Sequence, residues 1–307
     1  MLGGVVLRLL CSWTEALMDL TRILVAVNSP NGRDAAFERA LAFARSSGAE
    51  LYLLHAVPAD QPFSFHAGER LERMADMRQR AEDVGVRVET VEQHGDPAQI
   101  IELHADARAV DLIVMGGEPR RGWGRRSPIA ERVIRRTSVP TLVVVSGAPD
   151  DPAAFRNVLV AVDLSPVSQD VLSAAVALTA GEAVQLTVMH TVKGLEAADD
   201  LQSPARWTVP EYRTYVREDA RRALRAIVSA IPASVDTHVE VSTGSAARAI
   251  LERAAGVNAD LVVVGRSRSL KVLGSTALRV LRKNDRALLV IPSDAQRTSR
   301  VARNLAA

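Results

Sequence analysis

Arg22-Ile-Leu-Val-Ala-Val-Asn28-Ser-Pro30 returns later in the chain as Asn157-Val-Leu-Val-Ala-Val-Asp163-Leu-Ser165-Pro166. A second block keeps the spacing: Leu51-Tyr-Leu-Leu-His55-Ala-Val57 matches Leu186-Thr-Val-Met-His190-Thr-Val192, and His190 follows His55 by 135 positions, as Val158 follows Ile23. Gly95-Asp-Pro-Ala-Gln-Ile-Ile101 then matches the run from Gly244 to Ile250, and Asp111-Leu-Ile-Val-Met-Gly116 matches Asp260-Leu-Val-Val-Val-Gly265, both 149 positions apart. Four blocks in one order at two fixed offsets mark a duplication rather than chance likeness among apolar strands. The step from 135 to 149 gives the second copy about fourteen extra residues, expected in the polar, proline-containing stretch Lys193 to Pro210 as a surface loop.

Each copy alternates short aliphatic runs with longer segments of helical spacing. Ile23–Val27, Leu51–Val57, Arg87–Val91, Leu112–Met115 and Thr141–Val145 have strand length and lack an alternating polar face, which predicts strands buried on both sides. Ala35–Arg45, Glu69–Asp83, Pro97–Arg108 and Ile129–Thr137 read as helices, with Pro97 and Pro128 suited to first turns and Gly48 and Gly85 to helix ends. The β-α repeat implies a parallel sheet with right-handed crossovers and helices on both faces. Ser146 to Phe155, dense in glycine, proline and aspartate, marks the junction. The expected division is an extension (1–20), a first domain (21–147), a linker (148–155), a second domain (156–293) and a tail (294–307).

Composition agrees with two globular units. A length of 307 residues suits two domains, and 48% hydrophobic with 24% charged residues is enough to bury a core in each. Lys+Arg number 38 against 36 Asp+Glu, too even a balance for a dedicated nucleic-acid binder. The single cysteine, Cys11, excludes an intrachain disulfide and a cysteine metal cluster and fits a reducing cytoplasm. Met1 to Leu10 has the look of a signal h-region, but Arg8 interrupts it and it is too short to span a bilayer. It reads as an extension ahead of a start at Met18, or as an amphipathic docking helix.

In an open doubly wound sheet the crevice lies beyond the carboxyl ends of the strands, where the winding reverses. Two loops per copy point there. The first carries Asn28 in one copy and Asp163 in the other; the second runs from Gly116 to Ser127 and from Gly265 through Gly274-Ser275-Thr276. A glycine leaving a strand and a Gly-Ser-Thr opening a helix offer unhindered amides and a helix N-terminus to an anion. An acid nearby suits a ribose hydroxyl, and together these describe a mononucleotide site.

The opening strand ending in Asp, Leu-x-x-x-His-x-Val, Gly-Asp-Pro-Ala, Asp-Leu-Ile-Val-Met-Gly and Ser127-x-x-x-Glu-Arg-Val-Ile-Arg resemble the universal stress protein family over most of both copies, Thr21 to Val145 and Arg156 to Pro292. The resemblance implies an α/β fold class. It implies two tandem doubly wound domains of the adenine-nucleotide α-hydrolase-like type, each with a five-stranded parallel sheet of order 3-2-1-4-5. It also implies a stress-response regulator that binds ATP, ADP or AMP. Members that bind nucleotide follow G-x2-G-x9-G-[S/T] after the fourth strand. Carried over, copy two keeps Asp163, Thr191 after His190, Gly265, Gly274 and Ser275, with Thr276 beside it; Arg268 replaces the middle glycine and the loop is four residues short. In copy one Asn28 replaces the acid, Ala56 follows His55, Gly116 and Ser127 are kept, Pro119 and Arg126 replace glycines, and the loop is three residues short. Nucleotide is therefore expected chiefly in the second copy.

Arg120, Arg121, Arg125, Arg126, Arg266 and Arg268 either replace lost amide donors with guanidinium forks or line a solvated loop. His55 and His190 read as histidines packed beside the sheet end. No G-x-S-x-G, H-E-x-x-H or G-x-x-x-x-G-K-[S/T] pattern occurs, so no enzyme, metal or covalent cofactor is expected. The expected partners are an adenine nucleotide and an unknown protein, with no membrane or nucleic acid. The rival reading is a nucleotide-free scaffold with vestigial clefts. The family resemblance also implies that the last strands, Thr141–Val145 and Ala287–Ile291, pair within the chain or that the protein is a homodimer.

Overall fold

The structure, a computed structural model, describes residues 20–27, 34–58, 67–117, 128–145, 155–178, 184–192, 208–266 and 275–293. The first half runs β1 (Arg22–Ala26), α1 (Ala35–Ser47), β2 (Glu50–Val57), α2 (Ala67–Asp83), β3 (Val88–His94), α3 (Pro97–Ala107), β4 (Leu112–Gly117), α4 (Pro128–Arg136) and β5 (Thr141–Val145). The second half repeats this as β6 (Asn157–Val162), α5 (Val167–Ala177), β7 (Gln185–Val192), α6 (Val209–Val228), β8 (Asp236–Thr243), α7 (Ala246–Gly256), β9 (Leu261–Arg266), α8 (Ser275–Lys283) and β10 (Ala287–Pro292).

Local chemistry sets many of these bounds. Asp34 caps α1, its Oδ1 accepting from the amides of Ala36 at 2.9 Å and Phe37 at 3.1 Å, and Gly48 closes the helix at φ 75°. Asp96 caps α3 ahead of Pro97, accepting from Ala98 N at 3.0 Å and Gln99 N at 3.1 Å. Thr208 and Glu211 form a capping box at the start of α6. Asp111 and Asp260, which open the fourth-strand motif of each copy, work at the amino end of the sheet. Asp111 Oδ2 accepts from Thr21 N at 2.9 Å and Arg22 N at 3.0 Å, and Asp260 Oδ2 accepts from Arg156 N at 2.7 Å, so each fastens the entry to its copy's first strand.

The ten strands form one sheet in the order β3-β2-β1-β4-β5-β10-β9-β6-β7-β8. Each half thus has the order 3-2-1-4-5, parallel throughout, and the duplication is in register: Val114 faces Leu142 as Val263 faces Leu289. The halves meet where β5 pairs antiparallel with β10, Leu289 opposite Leu142. These two leucines are each other's counterparts, so a pseudo-twofold axis passes between them, and both are fully buried. The last strands therefore satisfy one another within the chain. An apolar core covers each face and runs across the seam: Phe37, Leu142, Leu224 and Leu289 on one side, Ile113, Val133, Val262 and Val280 on the other. Phe155, where the linker was expected to end, belongs to the first core, its ring 4.0 Å from the buried Arg39 guanidinium and 6.3 Å from the Phe43 ring.

Two expectations change. Arg87–Val91 was expected to be buried on both faces, but β3 and its counterpart β8 are the outer edges of the sheet, and β3 has no fully buried residue. Their polar residues, such as Glu89, Glu92, Asp236 and Glu240, suit strands with one open side. The extra residues of the second copy are also spread out. Before the helix they lengthen the connection from 58–66 to 193–208, whose residues 193–207 lie outside the described ones. They also lengthen the helix itself, 17 residues in α2 against 20 in α6, and the connection after it, 84–87 against 229–235.

Candidate functional site

Parallel pairing sets the carboxyl ends of β7, β6 and β9 side by side, with Thr191, Asp163 and Gly265 on them. The winding reverses between β6 and β9, which is where a doubly wound sheet opens its crevice. Pairing of β6 with β7 stops at Val162 opposite His190, so Thr191 and Val192 run on as a ledge beyond the end of β6. His190 fixes that end. Its Nδ1 is 2.9 Å from Val162 O, and because a carbonyl only accepts, Nδ1 carries the proton and donates. His55 repeats the bond to Val27 O at 2.8 Å. Both histidines are thus engaged at the sheet end, as the sequence suggested.

Past β6 the chain turns through Leu164, at φ 60°, and Asp163 ties the turn down. Asp163 Oδ1 accepts from Ser165 N at 3.0 Å and from the hydroxyl of the buried Ser168 at 3.3 Å. Partial desolvation pushes this carboxyl up, but the bonds from the Ser165 hydroxyl and amide and from Ser168 outweigh it and hold it below the usual carboxylate range. The result is an exposed, firmly ionised carboxylate on the middle strand end. Beside it, the Thr191 hydroxyl is engaged with Ser242 Oγ of β8 at 3.0 Å. Ser165 stands in the repeated Ser-Pro step, but Ser168 and Ser242 had no distinguishing sequence signal, because only the fold shows that they orient the site.

Gly265 is exposed, yet a Cβ there would stand 3.1 Å from Val171 Cγ2 of α5, so this glycine also lets α5 pack across the end of β9. Its counterpart Gly116 has nothing within 4 Å of the same position. The helices after the first strands also start differently: α5 at Val167, four residues after Asp163, and α1 at Ala35, seven after Asn28. Thr276 sits half-buried in the first turn of α8, and Ala56 half-buried on β2 beyond Leu54. Asn28, Ser127, Arg268, Gly274 and the side chain of Ser275 lie outside the described residues, as do Arg120, Arg121, Arg125 and Arg126.

Arg266 corrects a sequence expectation. It neither faces the cleft nor lines a solvated loop. It is 4% exposed and reaches across the seam, Nη1 donating to Arg135 O at 3.1 Å and Nη2 to Thr137 O at 2.7 Å. Both acceptors lie at the carboxyl end of α4, where a helix carries partial negative charge.

The universal stress protein family matches residues 20–145 and again residues 154–292. The chain belongs to the universal stress protein family. A universal stress protein of Methanocaldococcus jannaschii is 30% identical over 131 residues, covering 37% of this chain and 77% of that protein. A functionally unknown protein from Pseudomonas aeruginosa PAO1 shares the tandem fold with a TM-score of 0.69 at 19% identity, over 94% of this chain and 99% of that one. A putative universal stress protein from Pseudomonas aeruginosa UCBPP-PA14 does so with 0.66 at 20% identity, over 90% and 95%. Among the described residues of this tandem universal stress protein, no group of three His, Cys, Asp or Glu is placed to hold a metal ion. Nor is any described helix long and apolar enough to cross a membrane.

Proposed function

We propose that this universal stress protein is a cytoplasmic stress-response regulator that binds an adenine nucleotide, ATP, ADP or AMP, chiefly in the cleft of its second half, and catalyses no reaction. The observation that carries the reading is Asp163: an exposed carboxylate held ionised by Ser165 and Ser168 at the switch point, flanked by the Thr191 ledge and the Gly265 strand end. A ribose offers vicinal hydroxyls to such an acceptor, and the amino end of α8 suits the phosphates. Asp163, Thr191, Gly265, Gly274, Ser275 and Thr276 are the residues assigned to the ligand, with Arg268 as a supplementary cation. Asn28, Ala56, Gly116 and Ser127 form the weaker counterpart, where an amide replaces the acid.

The packing of Val171 against Gly265 favours the other reading, a nucleotide-free interaction scaffold, because it narrows the space beside the strand end. Calorimetric titration of the full chain with ATP, ADP and AMP separates the two. Binding is expected, with Asp163→Ala weakening it roughly tenfold or more for the loss of a charge-assisted hydrogen bond. Asn28→Ala is expected to change it less than about threefold, which is under 1 kcal/mol. Absence of heat at millimolar nucleotide removes the ligand reading and leaves the scaffold.

A further inference from the structure

The elements on either side of the connection 267–274, β9 and α8, each carry a residue that grips the first half of the molecule. Arg266, the last residue of β9, spends its guanidinium on two carbonyls at the end of α4. Arg282, two turns into α8, makes a bidentate pair with Glu131 of α4, Nε to Oε2 at 2.8 Å and Nη2 to Oε1 at 2.6 Å. Glu131 also accepts from Arg135 of the same helix at 2.7 Å, and the second half holds α4 at two places, Glu131 and its carboxyl end. Helix α4 in turn begins at Pro128, directly after the first half's own loop from Gly116 to Ser127.

The grip is one-sided. Under the pseudo-twofold relation Arg266 corresponds to Gly117, and Glu131 to Leu278. A Cβ at Gly117 would stand 3.0 Å from Val143 Cγ1, so a side chain fits there only if Val143 gives way. The first half therefore lacks the equivalent hold on α8 at either position.

We propose that Arg266 is a positioning residue that couples the second-half cleft to helix α4 of the first half, so that nucleotide bound to one half tightens the other. This rests on the nucleotide reading above. The coupling is physical: the strand end that bears Gly265 is anchored, one residue on, to carbonyls 129 and 131 positions away in sequence. Ordering that strand end around a ligand holds the guanidinium, and the guanidinium holds the last turn of α4. Linkage requires the reverse as well, so loosening α4 weakens nucleotide binding.

The test combines calorimetry with amide hydrogen exchange on the full chain, with and without ADP. In wild type, ADP is expected to slow exchange of the Thr137 and Val139 amides severalfold. Arg266→Met, which keeps length but has no donor, is expected to weaken ADP binding about fivefold and to abolish that protection; Arg266→Lys falls between. Direct binding of ADP in the first cleft would protect α4 in Arg266→Met too, and that result overturns the proposal. No heat with wild-type protein sinks the nucleotide reading and this coupling together. Heat with wild type, but unchanged exchange at Thr137 and Val139, sinks the coupling alone and needs no variant to fold.

Discussion

The two halves share a sheet almost residue for residue and differ where the strands end. Val114 against Leu142 and Val263 against Leu289 occupy the same register, and each half contributes to both cores. At the carboxyl ends, Asn28 stands against Asp163, a helix starting at Ala35 against one starting at Val167, and Gly117 against Arg266. A strand between two others must match both neighbours and pack two faces, whereas a strand end answers to few partners. The differences at the strand ends therefore fall where a doubly wound fold binds ligands.

The largest expected effect probes the shared part. Leu142 and Leu289 sit opposite each other at the seam with no exposed surface, and either one cut to alanine leaves a cavity costing about 3 kcal/mol. Equal losses for Leu142→Ala and Leu289→Ala in denaturant titrations confirm the seam as symmetric. A gap above about 2.5 kcal/mol, wider than the usual spread among buried leucine-to-alanine changes, breaks the equivalence.

Next comes the asymmetric part of the seam. The hydrogen bond from Arg282 is the main reason the Glu131 carboxyl falls from 4.5 to about 2; burial opposes it and Arg135 assists. Because the folded value is the lower one, the pair's contribution is complete above about pH 4.5 and drains away as pH falls through about 2. Glu131→Gln should therefore cost about 1–2 kcal/mol at pH 7, allowing for solvent screening at the part-exposed Arg282, and progressively less toward pH 2. Melting curves at pH 7 and pH 3 read this directly, and a penalty that does not shrink with acidity rules out the ion pair as its source. Leu278→Gln, at the counterpart position, should show no such pH dependence.

Much of this was legible in the chain. The offset of 135 fixed the first strands and second strands of both copies, and the proline and glycine signals placed the ends of α1 and α3 within a residue or two. Arg266 was not legible. In sequence it is an arginine just past a glycine, in a segment resembling a phosphate loop, and its real acceptors lie in the other copy. The edge position of β3 had a signal that its reading as a buried run passed over: Arg87, Glu89 and Thr90 interrupt the valines of Val86 to Val91, unlike the wholly aliphatic Leu112–Met115, and the strand order leaves one side of β3 open. Asp163 was legible as a type and position. The roles of the serines that keep it ionised were not: Ser165 stands in the repeated Ser-Pro step and Ser168 in no pattern, and only the Leu164 turn brings both onto the carboxylate.

The smallest expected effect compares one helix start with its copy. Asp96 and Ser245 both precede their helices in extended conformation, ψ 115° and 110°, but only Asp96 caps, accepting from Ala98 and Gln99. The carboxylate of Asp96 also takes Arg132 of α4, and that bond is the chief reason its carboxyl lies below the usual range. Asp96→Ala should thus cost about 1 kcal/mol, and Ser245→Ala close to nothing, since no capping bond is lost. The reverse substitution is the sharper test. Arg279 occupies on α8 the place of Arg132 on α4, so Ser245→Asp supplies both a cap and an ion-pair acceptor at once. A gain of about 0.5–1 kcal/mol in denaturant titration is expected. If Ser245→Asp leaves stability unchanged, the amino end of α7 is satisfied by other means, and the two halves differ there in backbone setting rather than in one side chain.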